Sequence, residues 1–271
     1  MLKRIIVGAG IAAVGWATYA RARRWRASWG VVPEEVDKPL AGDDLVPPAL
    51  AVDTRGITID APAELIWPWL LQMGYGRGGW YSIDQLDMRG SSATRIVDDW
   101  QKLAVGDVVP THPGGGFGVK VLEPNRALVL FADTDSMRPT DETAAGDVPM
   151  GLAGSGAFMS ATPGEFAASW AFVLEPIDPN RTRLIERVRY WGVPGSQLSR
   201  VALSIFGFGV FVMMQRQMVG IRTRAEALAR DPEWTARTTG PSVGARPSAE
   251  PETTEPEATE PDPILTTPAS A

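Results

Sequence analysis

Over Arg55-Gly-Ile-Thr-Ile-Asp60 apolar and polar positions alternate, which predicts a strand with one face turned to a core. Asp60-Ala-Pro-Ala-Glu64 then opens a helix. Pro62 suits a first turn, Glu64 suits the positive end of the helix dipole, and Ile66, Trp69, Leu70 and Met73 share a face. Pro68 lacks the amide hydrogen that a helix interior needs and predicts a kink or break. After a glycine-rich turn, 74–79, the run Trp80–Met88 predicts a second short helix. Strand character returns at Asp107–Thr111, Phe117–Leu122, Ala127–Ala132, Phe166–Leu174 and Thr182–Trp191. Several of these are divided by turn signals at Pro113-Gly-Gly-Gly116, Glu123-Pro-Asn125 and Asp178-Pro-Asn180. Ser196–Arg230 reads as one long helix. Its stretch Val201–Met214 is almost wholly apolar but too short to cross a bilayer, and Met218, Ile221, Ala225 and Leu228 continue at helical spacing. Hairpin-linked strands followed by a long helix predict an α+β domain, an antiparallel sheet whose apolar face that helix covers.

The flanks differ from this core and divide the chain into 1–29, 30–53, 54–230 and 231–271. Ile5–Ala20 is uncharged and sits between Lys3-Arg4 and Arg21, Arg23, Arg24 and Arg26. Sixteen helical residues cover about 24 Å, slightly less than the hydrocarbon core of a bilayer. A membrane anchor through residues 2–22 is expected, with the main domain on the cytoplasmic side. A cleaved signal peptide and a buried or interfacial helix are the other readings. Residues 30–53, rich in Pro, Gly and Asp, read as an extended linker or arm, and Asp133–Pro163 as a long loop that is disordered or forms a lid. The proline-rich tail 231–271 carries eight acidic and two basic residues and is expected to be disordered.

That tail accounts for the whole formal net charge of −6, so the body is neutral and nucleic acid is excluded as a partner. With no cysteine, thiolate catalysis and cysteine-type metal sites are excluded as well, and the single histidine, His112, falls in a hairpin turn. Gly151-Leu-Ala-Gly-Ser-Gly156 is not a nucleophile elbow, and Gly74-Tyr-Gly-Arg-Gly-Gly79 follows a helix where a dinucleotide fingerprint follows a strand. No metal and no cofactor is expected.

Ile57-Thr-Ile-Asp-Ala-Pro-Ala-Glu-Leu-Ile-Trp67 through Gly74-Tyr-Gly-Arg-Gly-Gly-Trp-Tyr81 resembles the opening of the START-like (SRPBCC) superfamily. Ile96–Asp107, Phe166–Pro176 and Thr182–Trp191 are similar to its polyketide cyclase/dehydrase-like branch. The resemblance covers roughly 55–230. It implies a helix-grip fold, a curved antiparallel sheet wrapped around the long C-terminal helix, and a cavity that takes lipids, sterols or polyketides; a minority of members are enzymes.

Candidate site residues follow from which side chains face that interior. Trp80, Tyr81, Trp100, Trp170, Phe172, Phe208, Phe211 and Met214 either line an apolar pocket or fill a core. On strand 182–191 the better core face, Thr182, Leu184, Glu186, Val188 and Tyr190, turns Glu186 inward, where a carboxylate must be paired, hydrogen-bonded or neutral. Arg77 and Asp84 are its expected partners, and Glu186 with Asp84 or Tyr81 is the candidate acid–base pair. Three functions remain open on the sequence: binding of an apolar small molecule or lipid at a membrane, a cyclase or dehydrase-type enzyme, and a ligand-free interaction protein.

Overall fold

The computed structural model describes residues 2–46, 48–87, 91–112, 115–136, 165–192 and 197–231; side chains are described for these except 2–9, 11, 12, 112 and 197–206. The predicted long loop (from 137 on), Gly151–Gly156, the His112 side chain and the acidic tail beyond Asp231 lie outside that set.

Six strands form one antiparallel sheet in the order β1-β6-β5-β4-β3-β2. They are β1 (Ala51–Ile59), β2 (Val108–His112), β3 (Gly115–Glu123), β4 (Ala127–Asp133), β5 (Phe166–Asp178) and β6 (Arg181–Gly192). The first strand of the chain closes the sheet against the last: Arg55 stands opposite Glu186 and Ile57 opposite Leu184. Register shifts interrupt the β2–β3, β3–β4 and β5–β6 ladders, and such bulges bend a sheet.

On the concave face lie α3 (Ala63–Leu71) and the long C-terminal helix α5 (Gln197–Ala229); α1 (Leu2–Ala27), α2 (Pro33–Asp37) and α4 (Asp84–Asp87) complete the helices described. Phe211, Met214, Met218, Ile221 and Ala225 recur at alternating steps of three and four along α5 and are almost fully buried. Met218, Ile221 and Ala225, with Leu228 partly buried, are the stripe that the spacing predicts, and with Met214 they join Ile66, Leu70, Met73 and the inward side chains of β1, β5 and β6 in one cluster. α3 runs through Pro68 without the predicted break. The bond lost there is to the carbonyl of Glu64, an exposed residue in the first turn of the helix. The second short helix is confined to Asp84–Asp87.

Two findings bear on the flanks. Among the described residues no helix is long and apolar enough to cross a membrane. Residues 30–50 are not a free linker but a strap across the convex face. Arg187, on the outward face of β6, donates to Thr54 Oγ1 (3.0 Å), to the carbonyls of Glu35 (2.9 Å), Val36 (2.8 Å) and Lys38 (2.7 Å), and to Asp43 Oδ2 (2.8 Å). Arg183 pairs with Glu35 at 2.7 Å and donates to the Gly30 carbonyl. Leu40 and Ala41 cover Ala127, Val173 and Ile185. Arginines that read as a solvent face are therefore buried pins.

Candidate functional site

Strand parity places the site. Along β1 the side chains of Asp53, Arg55, Ile57 and Ile59 point to the concave face; along β6 those of Leu184, Glu186 and Val188 do; along β5 those of Trp170, Phe172 and Leu174 do. Arg55 and Glu186 are cross-strand partners, so one guanidinium and one carboxylate meet inside an otherwise apolar layer.

Glu186 is fully buried. Its Oε1 accepts from Trp170 Nε1–H at 2.7 Å; its Oε2 has no hydrogen-bond partner and stands 3.8 Å from Arg55 Nη1, an ion pair without a hydrogen bond. Arg55 is bonded more tightly to Asp53, at 2.5 Å, and Asp53 is a quarter exposed at the mouth of the site. The remaining side of the guanidinium is covered by α5: Met214 Sδ is 3.2 Å from Nη1 and the Phe211 ring centroid 5.6 Å away. Arg55 Nε is unpartnered.

Burial dominates the acidity of Glu186. Removal from water pushes its carboxyl up to about 7, against the opposing pull of Arg55 and of the Trp170 indole; the Asp53 carboxylate adds to the rise. Near neutral pH the group exchanges a proton, as an acid–base residue must.

The aromatic candidates divide. Trp80 stacks on Trp170 (5.4 Å between centroids, 17° between planes), and Phe117 and Phe172 meet the same indole at 5.6 and 5.0 Å. Trp80, Trp170 and Phe172 are at most 2% exposed, and their rings pack on one another in the main core cluster. Phe211 and Met214 cover Arg55 as described. Phe208 is 57% exposed, and its ring lies 6.2 Å from that of Phe211, one turn further along α5. Trp100 is half-buried in a short 3-10 turn, where its carbonyl accepts from Arg77 at 2.9 Å.

Tyr81 and Asp84 are also away from Glu186. Tyr81 sits at φ 58°, a region that favours glycine; its hydroxyl donates to the Trp69 carbonyl (3.0 Å), its amide to Ser92 Oγ (3.1 Å), and Arg224 lies 4.6 Å over its ring. Burial holds its phenol well above the ordinary range. Asp84 accepts from the Ser92 amide and hydroxyl at 3.0 and 2.5 Å. Arg77 donates to the Leu71 and Trp100 carbonyls. The three residues stitch the turn 74–81 to the segment 91–101; the expected partnership of Glu186 with Arg77 or Asp84 is replaced by Arg55, Trp170 and Asp53. A cleft of about 600 Å³ lies elsewhere, at the rim between the strap, the start of α3 and the β3–β4 turn. Among the described residues no cluster of acidic or histidine side chains could hold a metal.

A long helix packed across the hollow of a bent antiparallel sheet, with β1 closing on β6, is a helix-grip fold, here with one protonatable carboxylate in its interior. No protein-family model and no curated protein matches the chain. Solved structures similar to it include a conserved protein from Geobacillus kaustophilus, with 14% identity over 64% of this chain and 93% of that one and a TM-score of 0.31. Another is the Zhui aromatase/cyclase from Streptomyces sp. R1128, at 13% identity over 66% of this chain and 96% of that one, TM-score 0.29. A third is the di-domain ARO/CYC BexL, at 11% identity over 67% and 48%, TM-score 0.30. Two of the three are named as aromatase/cyclases, the branch that residues 55–230 resemble; at these TM-scores they carry no argument about activity.

Proposed function

We propose that the protein binds a mostly apolar small molecule at the Phe211 end of the concave face, reading one oxygen function of that molecule with Glu186 and Arg55. The observation that supports this is that each member of the buried Arg55–Glu186 ion pair keeps one unsatisfied polar atom, Arg55 Nε and Glu186 Oε2. Leaving a buried donor or acceptor without a partner costs about 1–3 kcal/mol, more when it is charged, and groups that break this rule cluster at sites of function. Phe211 and Met214 cover Arg55 from α5, and the ligand reaches the guanidinium by displacing these two side chains. A hydroxyl or carbonyl oxygen there meets both the guanidinium and the carboxyl group. Binding of 2-naphthol, compared with naphthalene across pH, tests it. Naphthol binds more tightly, with a pH dependence centred near the Glu186 transition, and the dependence disappears in Glu186→Gln; equal binding of the two compounds at every pH contradicts the reading.

A second reading, an enzyme of the cyclase or dehydrase type, is favoured by one observation: the Glu186 proton affinity lies near neutral pH, where a general acid–base group is most effective. It needs only that the bound oxygen function exchange a proton with Glu186. Turnover that survives Glu186→Gln unchanged would remove it.

A further inference from the structure

The helix α1 has no acidic residue. Its sequence carries Lys3, Arg4, Arg21, Arg23, Arg24 and Arg26, in a protein whose formal net charge is −6. Four of its large apolar or aromatic side chains face solvent: Val14 is 67% exposed, Trp16 73%, Tyr19 53% and Trp25 55%. Trp16, Tyr19 and Arg23 fall at helical spacing on one side, and Arg21, Arg23 and Arg24 are exposed beside them. Tryptophan and tyrosine have a free-energy minimum at the boundary between lipid headgroups and acyl chains, and each Lys or Arg near an anionic bilayer adds about 1 kcal/mol. A basic helix with exposed indoles is therefore built for a surface that is negative outside and apolar just beneath.

The root of α1 is fixed to the domain. The Trp29 carbonyl accepts from the Gly56 amide at 3.1 Å, and the Trp25 ring meets Phe211 edge-on at 5.3 Å. A surface that holds α1 thus also holds the Phe211 end of the concave face near itself.

We propose that α1 docks on an anionic phospholipid surface, resting in its headgroup layer by Trp16, Tyr19 and the arginines without crossing the bilayer. The inference stands apart from the ligand reading, since it uses none of Arg55, Asp53 or Glu186. Co-sedimentation of the full chain with phosphatidylcholine vesicles and with phosphatidylcholine/phosphatidylserine vesicles tests it. Binding to the anionic vesicles alone is expected, weakened by added salt. The triple variant Arg21→Glu, Arg23→Glu, Arg24→Glu lowers the partition coefficient at least roughly a hundred-fold, at about 1 kcal/mol per charge. These side chains are exposed, so an unchanged melting curve shows that the variant is folded. Trp16→Ala weakens binding while leaving its salt dependence in place. Equal binding to both vesicle types, no binding to either, or undiminished binding by the triple variant overturns the proposal.

Discussion

Glu186 is the residue on which most of the chemistry turns, and its environment makes a signed prediction. Its carboxyl ordinarily loses its proton near 4.5; in the fold burial raises that to about 7. The folded state therefore prefers the protonated form. Its contribution to stability is fully present below about pH 4.5, declines as pH rises, and is lost above about 7, a span worth about 3 kcal/mol. Glu186→Gln keeps an acceptor for the Trp170 indole but has no proton to lose. Denaturant melts across this range should show the wild type weakening relative to the variant as pH rises; parallel curves would contradict the assignment. Arg55 and Asp53 were within reach of the sequence. The alternation that makes Ile57 and Ile59 inward residues also turns Arg55 inward, two places earlier. What hid them was the boundary: a strand read as beginning at Arg55 omits Asp53, and nothing in one strand reveals that Glu186 stands opposite.

At the scale of elements the helix-grip architecture was legible, because α5 carries its buried stripe at regular spacing and β5 alternates bulky with small side chains. The strap was not. Residues 30–50 have no periodicity to signal a docked segment, and the Arg183, Arg187 and Arg189 face of β6 reads as solvated until the strap lies over it. Its pin is Arg187, whose five acceptors need a planar fork of donors. Arg187→Lys should therefore fail to substitute. We expect both Arg187→Lys and Arg187→Met to cost about 3 kcal/mol and to open the strap to a glutamate-specific protease at Glu35. Cleavage no faster than in the wild type would mean that the strap is held by Leu40 and Ala41 instead. The contact of α5 with the turn at Tyr81 makes another element-scale prediction. A Cβ on Gly220 would lie 2.1 Å from the Tyr81 carbonyl oxygen, backbone that cannot yield cheaply. Although alanine favours helices, Gly220→Ala should destabilise by about 1–3 kcal/mol in a thermal or denaturant melt, and a neutral or stabilising effect would show that the approach is looser.

For the whole molecule, the sequence pointed to a concave face rich in aromatic rings but could not say whether those rings line a space or fill it. Periodicity assigns a side chain to a face; it carries no volume. Trp80 and Trp170 stack at the centre, and the Phe211 end, beneath the root of α1, is the part of the interior where a ligand is proposed to enter. The exposure of Phe208 could not be read ahead for a related reason: in the almost wholly apolar stretch Val201–Met214 hydrophobicity no longer marks the inner side.

The central claim is that Glu186 holds a titrating proton in a concave face that a small apolar molecule can reach. The indole ¹⁵N–H resonance of Trp170 reports on it directly, since that group donates to Glu186 Oε1 at 2.7 Å, and Trp170→Phe assigns it. Followed from about pH 5 to 9, the resonance should move with a midpoint near 7, and 2-naphthol should displace both the resonance and the midpoint. A resonance that stays constant across that range, or a transition that 2-naphthol leaves untouched, would contradict the account.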